Sequence, residues 1–351
     1  MRIHEIETPA LLVDLDAMES NLHRMAGFFR DQPAKLRPHF KNHKVPMLAW
    51  KQIEAGAIGM TCATLREAEI LVDHGVRSVL IANEIVGESK IKGFADLSRH
   101  ADVMVAVDDE RVVADIACVS RKQGRPLSVL VDVNVGLNRC GVQPGEPACN
   151  LTKSAVENGL RFRGLMGYEG HVQVLPPDGE RDQSVRAVAK SLVDSRILIE
   201  REGIPVEIVS TGGTGTYYVG GALPGVTEIQ AGSYLLMDTL YVNRGSPFTR
   251  SLTVLASVIS QPEPQRAVID CGMKELSAER GLSIVKGIEG LELKALHAEH
   301  GLLEIENPET RLEMGQKIEL WVHYSDATVN LHQRLYGVRK GEVEEVFRIE
   351  H

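Results

Sequence analysis

No run of about 18 apolar residues occurs anywhere in the 351-residue chain, so no membrane-spanning helix is expected. Cysteine is scarce: Cys62, Cys118, Cys140, Cys149 and Cys271 form no C-x-x-C pair, and an odd, scattered set suits reduced thiols better than a disulfide framework. Positive charge is not in excess. Lys and Arg total 39 against 48 Asp and Glu, a net charge of -9, which argues against a general nucleic-acid or anionic-membrane binder, leaves room for a local basic pocket, and makes a small molecule the expected partner. Residues 1–5 carry none of the apolar character of a secretory leader, so a cytoplasmic protein is expected. Internal repeats and low-complexity stretches are also missing. What remains is an ordinary globular composition, 43% hydrophobic and 25% charged, on a chain long enough for two domains or one large barrel with an appendage.

Short apolar runs recur through the first 240 residues: 11–13, 36–40, 57–61, 78–82, 103–107, 128–133, 164–168, 206–210 and 228–231. Between them lie segments of helical spacing, 16–29, 65–74, 110–123, 145–157 and 184–202. About eight such alternations match a parallel (β/α)8 TIM-type barrel, whose strands are buried on both faces and read as continuous apolar runs. A doubly wound open sheet is the rival. Beyond Asn243 the texture changes to alternating, β-branched runs at 252–259, 266–270, 301–305, 316–322 and 342–349, broken by Pro and Gly. The expectation is therefore an α/β barrel over residues 1–243, with the first few residues free to join a mostly antiparallel β domain over 244–351.

Reacting groups of a barrel sit at the carboxyl ends of its strands. The densest such place is Leu36-Arg-Pro-His-Phe-Lys-Asn-His-Lys44, where Lys41 and Lys44 lie among His39 and His43. An amine whose pKa is lowered by neighbouring cations can condense with an aldehyde; a solvated basic loop is the plainer reading. Ser210-Thr-Gly-Gly-Thr-Gly-Thr216 follows an apolar run, and its Thr211, Gly213 and Thr214 could cradle a phosphate with backbone N–H and hydroxyl groups. It fits neither a Walker pattern nor G-x-G-x-x-G, and a flexible turn explains it equally well. Gly232 and Ser233 end the next run and could form a second cradle. A lysine and a phosphate loop in one barrel suggest pyridoxal 5'-phosphate. Arg139, in Leu137-Asn-Arg-Cys-Gly141, could touch a phenolate or carboxylate, and Tyr168 and His171, in Gly167-Tyr-Glu-Gly-His171, could face a ring; a salt bridge and plain packing are the alternatives. In the β domain, His323 and Asp326 are potential ligands of a divalent metal. On a strand, however, they would point to opposite faces.

Together with Thr8-Pro-Ala-Leu-Leu-Val-Asp-Leu-Asp16, Asp270-Cys-Gly-Met-Lys274 and Asp326-Ala-Thr-Val-Asn-Leu331, these motifs resemble, in order and over nearly the whole chain, the D-threonine aldolase and D-serine dehydratase family. The resemblance implies an alanine-racemase-like barrel with a following β domain and pyridoxal phosphate as cofactor. It makes Lys41 the Schiff-base lysine, Lys44 a supporting cation, and Arg139 the cofactor-facing arginine. Tyr168 and His171 become groups around the ring, and Thr214, Gly232 and Ser233 contact the phosphate. The family's metal motif, His-x-Asp or His-x-Cys before Thr-Val-Asn, places Asp326 in register, but Tyr324 stands where the histidine belongs and His323 is one residue early. A retained but altered site for Mn, Mg or Zn is the expectation. Asp rather than Cys at 326 points to the aldolase branch: Cα–Cβ cleavage of D-threonine or another D-3-hydroxy amino acid, with a metal assisting the hydroxyl. A dehydratase acting on D-serine or D-3-hydroxyaspartate is the alternative. A racemase, using Tyr324 or Tyr336 as second base, and a non-catalytic cofactor carrier are further ones. Family architecture implies a homodimer.

Overall fold

The computed structural model describes residues 1–307 and 309–351 and divides the chain into two compact units. One is formed by residues 25–41 and 46–232, the other by 1–24, 42–45 and 233–351. The first strand, β1 (Ala10–Asp14), pairs within the second unit, so the apolar run at 11–13 is not a barrel strand. The reason is its pattern of partners: both its edges are taken, antiparallel by the strand Leu252–Glu263 and parallel by Arg334–Arg339.

The barrel unit consists of β2 (Lys35–Leu36), β3 (Met60–Cys62), β4 (Ser78–Glu84), β5 (Asp102–Val107), β6 (Ser128–Asp132), β7 (Arg161–Met166), β8 (Ile208–Thr211) and β9 (Glu228–Ile229), all parallel, in the order β2-β9-β8-β7-β6-β5-β4-β3. The Thr61 N–H donates to Pro38 O at 2.8 Å, and a parallel bridge pairs His39 with Thr61. Those contacts join the two ends of the sheet and decide against an open, doubly wound arrangement. Period-two alternation sorts the side chains. Val103, Val105 and Val107 pack outward beneath the helices, whereas Met104 and Ala106 join Leu80, Leu130, Met166 and Ile208 inside. Helices lie where 3.6-residue spacing places them. Asp109 caps Glu110–Gln123 through its carboxylate, and Gly124, at φ +69°, ends it. The helix expected at 184–202 begins earlier, at Gly179, because Asp178 accepts from Glu180 N and Arg181 N and sets the start there.

The second unit is built on β10 (Leu252–Glu263), β11 (Arg266–Ile269), β12 (Ile284–Val285), β13 (Leu291–Leu296), β14 (Gly301–Ile305), β15 (Lys317–Trp321), β16 (Arg334–Arg339) and β17 (Glu342–Arg348). Its central path runs β13-β14-β11-β10-β1-β16-β17, and β15 pairs with β10 and β12. The pairing of β10 with β11 is interrupted by register shifts after Val258 and Ser260, so the front of this long strand serves β1 and β15 and the back serves β11. All pairings are antiparallel except β1 with β16.

Candidate active site

Lys41 owes its place to the residues just before it. Strand β2 is short, Pro38 cannot continue a ladder, and a single 3-10 turn, Phe40–Asn42, carries the chain past the strand's carboxyl end. Phe40, the first residue of that turn, is fully buried while Lys41 is half-buried. The Lys41 N–H donates to His39 Nδ1 at 3.4 Å. Upstream, Arg37 grips Glu228 with both arms of its guanidinium, Nε to Oε2 at 3.0 Å and Nη2 to Oε1 at 2.7 Å, and donates to Ser78 Oγ at 2.9 Å. This buried pair fastens β2 to β9 directly before the two segments that carry Lys41 and Gly232. A Cβ on Gly232 would lie 2.8 Å from His39 O, so only glycine permits the approach. Lys44, the expected supporting cation, lies in the other unit and donates to Asn330 Oδ1 at 2.6 Å.

The loop after β6 turns on Asn134, whose Oδ1 accepts from Gly136 N and Asn138 N, both at 3.1 Å. It presents Arg139 with its guanidinium 5.7 Å from the centre of the Tyr168 ring. A Cβ on Gly136 would be 3.2 Å from two atoms of the His171 imidazole. Arg139, Tyr168 and His171, singled out separately in the sequence, thus gather at one side of the barrel mouth. Behind them stands an acidic group that sequence reading missed. Burial, then the neighbouring Glu84, pushes the Asp132 carboxyl up to about 8, and Arg139 acts in the opposite direction. Burial and Glu84 likewise raise the Cys140 thiol. Ligand-type atoms of Glu84, Asp108 and Cys140 lie within 4.8 Å of one another.

The glycine loop after β8 is organised by Glu169, which is fully buried. Its carboxyl accepts from Thr211 Oγ1 at 3.0 Å, Gly212 N at 3.1 Å, Thr216 Oγ1 at 2.7 Å and Gln173 Nε2 at 3.1 Å. Gln173 returns its oxygen to Gly215 N at 2.9 Å and donates its amide to Thr216 Oγ1 at 2.9 Å. Gly213 N also donates to Thr216 Oγ1, at 3.1 Å. Thr211 and Gly213 therefore shape the loop from within, and Thr214 is buried in the middle of it. Glycine is required twice over: Gly212 sits at φ +80°, and a Cβ on Gly215 would overlap the backbone carbonyl of Gln173.

In the second unit Ser233, nearly buried, accepts from Met237 N at 2.9 Å through its carbonyl. The segment expected as a strand around His323 is not one. Strand β15 stops at Trp321 and a short helix, Ser325–Val329, begins, because buried Asp238 accepts both Ser325 N at 2.8 Å and Ser325 Oγ at 2.7 Å. Burial raises Asp238 to about 6 against those hydrogen bonds. Strand alternation therefore does not govern His323 and Asp326. Asp326 Oδ1 accepts from Asn42 Nδ2 at 2.7 Å. His323 packs against Gly281 and is hydrogen-bonded by the Arg280 backbone, while its Nδ1 is buried without a hydrogen-bond partner; burial lowers its pKa. Tyr324 lies under the Arg280 guanidinium at 5.7 Å, and burial followed by the nearby Asp326 raises its phenol.

Residues 13–239 match the alanine racemase N-terminal domain family, and residues 251–338 match the putative serine dehydratase domain. A D-threonine aldolase from Arthrobacter sp is 35% identical over 98% of this chain and 92% of its own. The chain belongs to the D-threonine aldolase family. The crystal structure of a D-threonine aldolase from Filomicrobium marinum superposes with a TM-score of 0.96 at 35% identity, covering 99% of this chain and 96% of that one. The D-threo-3-hydroxyaspartate dehydratase from Delftia sp. HT23 gives 0.91 at 27% identity, covering 100% and 99%. The barrel mouth fits a phosphorylated pyridine aldehyde: a half-buried amine on a strand end, a cation near an aromatic ring, and a loop whose glycines admit no Cβ. Among the described residues no helix is long and apolar enough to cross a membrane.

Proposed function

We propose that this protein is a pyridoxal-phosphate-dependent aldehyde lyase that cleaves the Cα–Cβ bond of D-3-hydroxy amino acids, D-threonine foremost, to glycine and an aldehyde. The observation that carries this reading is Lys41 at the carboxyl end of a barrel strand, in a chain related from end to end to D-threonine aldolase. Pyridoxal phosphate, when bound, supplies an electron sink for the pair left at Cα. Lys41 is the residue whose amine would hold the cofactor through its aldehyde. Arg139 would balance the ring's phenolate oxygen or the substrate carboxylate, and Tyr168 would flank the ring. His171 takes the β-hydroxyl proton as the carbon–carbon bond breaks, so that the β carbon leaves as a carbonyl and Cα gains a proton to become glycine. Thr214, on the loop that Thr211 and Gly213 shape, would hold the phosphate together with Gly232 and Ser233, which follow the next strand.

Asp326 and His323 would hold a divalent cation, Mn, Mg or Zn; the orphaned Nδ1 of His323 is the donor that asks for a partner. Such an ion acidifies a hydroxyl bound to it. A variant of the related D-threo-3-hydroxyaspartate dehydratase is described in a metal-free form, which supports a metal in this branch of proteins. The same relative keeps dehydration to a 2-oxo acid and ammonia as the second reading. We further place the protein in the cytoplasm, its five cysteines all being free thiols, and as a homodimer, for which a solution mass of twice the chain is the expected result.

Incubation with D-threonine decides the reaction. Glycine with acetaldehyde supports the lyase; 2-oxobutanoate with ammonia assigns the dehydratase, and conversion to L-allo-threonine with no cleavage product assigns a racemase. The purified protein should absorb near ~420 nm, as cofactor chemistry dictates, and Lys41→Ala should abolish both that band and turnover. Exhaustive chelation should reduce turnover at least about tenfold, with recovery on adding Mn, if the ion contributes a typical metal-catalytic effect; unchanged turnover removes the metal from the scheme.

A further inference from the structure

The glycine loop contains few donors that are not already engaged. Gly212, Gly213, Gly215 and Thr216 all spend their backbone N–H groups inside the loop or on Glu169 and Gln173. A loop with three glycines in six residues has many conformations available when unrestrained, so something must select the one that receives an anion. The selecting group is a carboxyl, which is unexpected beside a site for a negatively charged phosphate. It comes from the strand-end motif after β7, about 40 residues before the loop in sequence, and it serves as acceptor four times. Gln173, four residues further on, completes the frame by binding Gly215 and Thr216.

We propose that Glu169 is the positioning residue of the phosphate loop: by drawing Thr211, Gly212, Thr216 and Gln173 inward it fixes residues 211–216 in the shape that binds the cofactor's phosphate, and so sets affinity for the phosphorylated cofactor rather than for its ring. The proposal rests on the cofactor reading above. Glu169 does not touch the reacting atoms. Its effect is read in the cofactor dissociation constant, not in the pH profile of turnover.

Apoprotein titrated with pyridoxal 5'-phosphate and, separately, with pyridoxal provides the test, followed by near-ultraviolet and visible absorbance. Glu169→Gln keeps size but replaces one acceptor oxygen with a donor. It should weaken binding of the phosphorylated aldehyde by about 10- to 100-fold, the range expected from losing one or two hydrogen bonds that hold the loop, while pyridoxal binding stays unchanged. Thr216→Val, which deletes the hydroxyl shared by Glu169, Gln173 and Gly213, should reproduce that selective loss, and it stands in if Glu169→Gln fails to fold. Equal weakening for both aldehydes, or none for either, overturns the proposal. Failure of the wild-type apoprotein to bind the phosphorylated aldehyde at all overturns the cofactor reading, and this proposal with it.

Discussion

At the scale of single residues, the groups that stand out in the sequence are those whose chemistry shows without neighbours. Lys41, Arg139, Tyr168 and His171 draw attention because amines, guanidiniums, phenols and imidazoles at strand ends are few. Glu169 and Asp132 sit inside or beside the same motifs and pass unnoticed, since what distinguishes them is burial and partners supplied from other strands. Asp132 has a measurable signature. Neutral in the folded chain up to about pH 8, and ionised above about pH 4 once unfolded, it adds stability that is complete below pH 4 and is lost as pH rises through 8. Urea midpoints of the wild type should therefore decline across that window, and Asp132→Asn should flatten the decline and exceed the wild type at pH 8.5 by about 1–3 kcal/mol. A parallel decline in the two proteins would show that Asp132 is ionised when folded.

Elements were legible wherever one periodicity ran unbroken. Helix Glu110–Gln123 and strand Gly301–Ile305 fall where spacing places them, with caps or Gly at their ends. Others were not. Strand β2 reduces to two residues although the apolar run extends to Phe40, because Pro38 and the buried Arg37 interrupt it. A charged residue in the middle of a strand-like run reads as an error until Glu228 appears across the pair. That pair predicts an asymmetry. Arg37→Met alone leaves Glu228 buried and uncompensated, and should destabilise by about 3–5 kcal/mol, whereas Arg37→Met with Glu228→Leu should recover most of that. Chemical denaturation of the three proteins checks it; equal losses in the single and double variants would mean that packing around the guanidinium, not charge, sets the cost.

For the whole molecule, the barrel and the β domain were both visible as a change of texture near residue 243, but texture along a chain cannot show which distant segment completes a sheet. The unit that contains the C-terminal sheet also claims residues 1–24, 42–45 and 233–243. Strand β1 is an interior member, with β10 on one edge and β16 on the other. Removing it would expose the backbone donors and acceptors of two long strands at once, and Leu11, Leu12 and Val13 would leave the core they fill. A fragment of residues 233–351 is accordingly expected to aggregate or to lack a cooperative melt. Supplying residues 1–24, as a separately expressed peptide or through a flexible linker, should restore a soluble fragment with a sigmoidal transition, because the missing strand is inserted between its two neighbours. Calorimetry with and without the added segment distinguishes this from a sheet that closes unaided: a cooperative transition from residues 233–351 alone would mean that β10 and β16 can pair without β1.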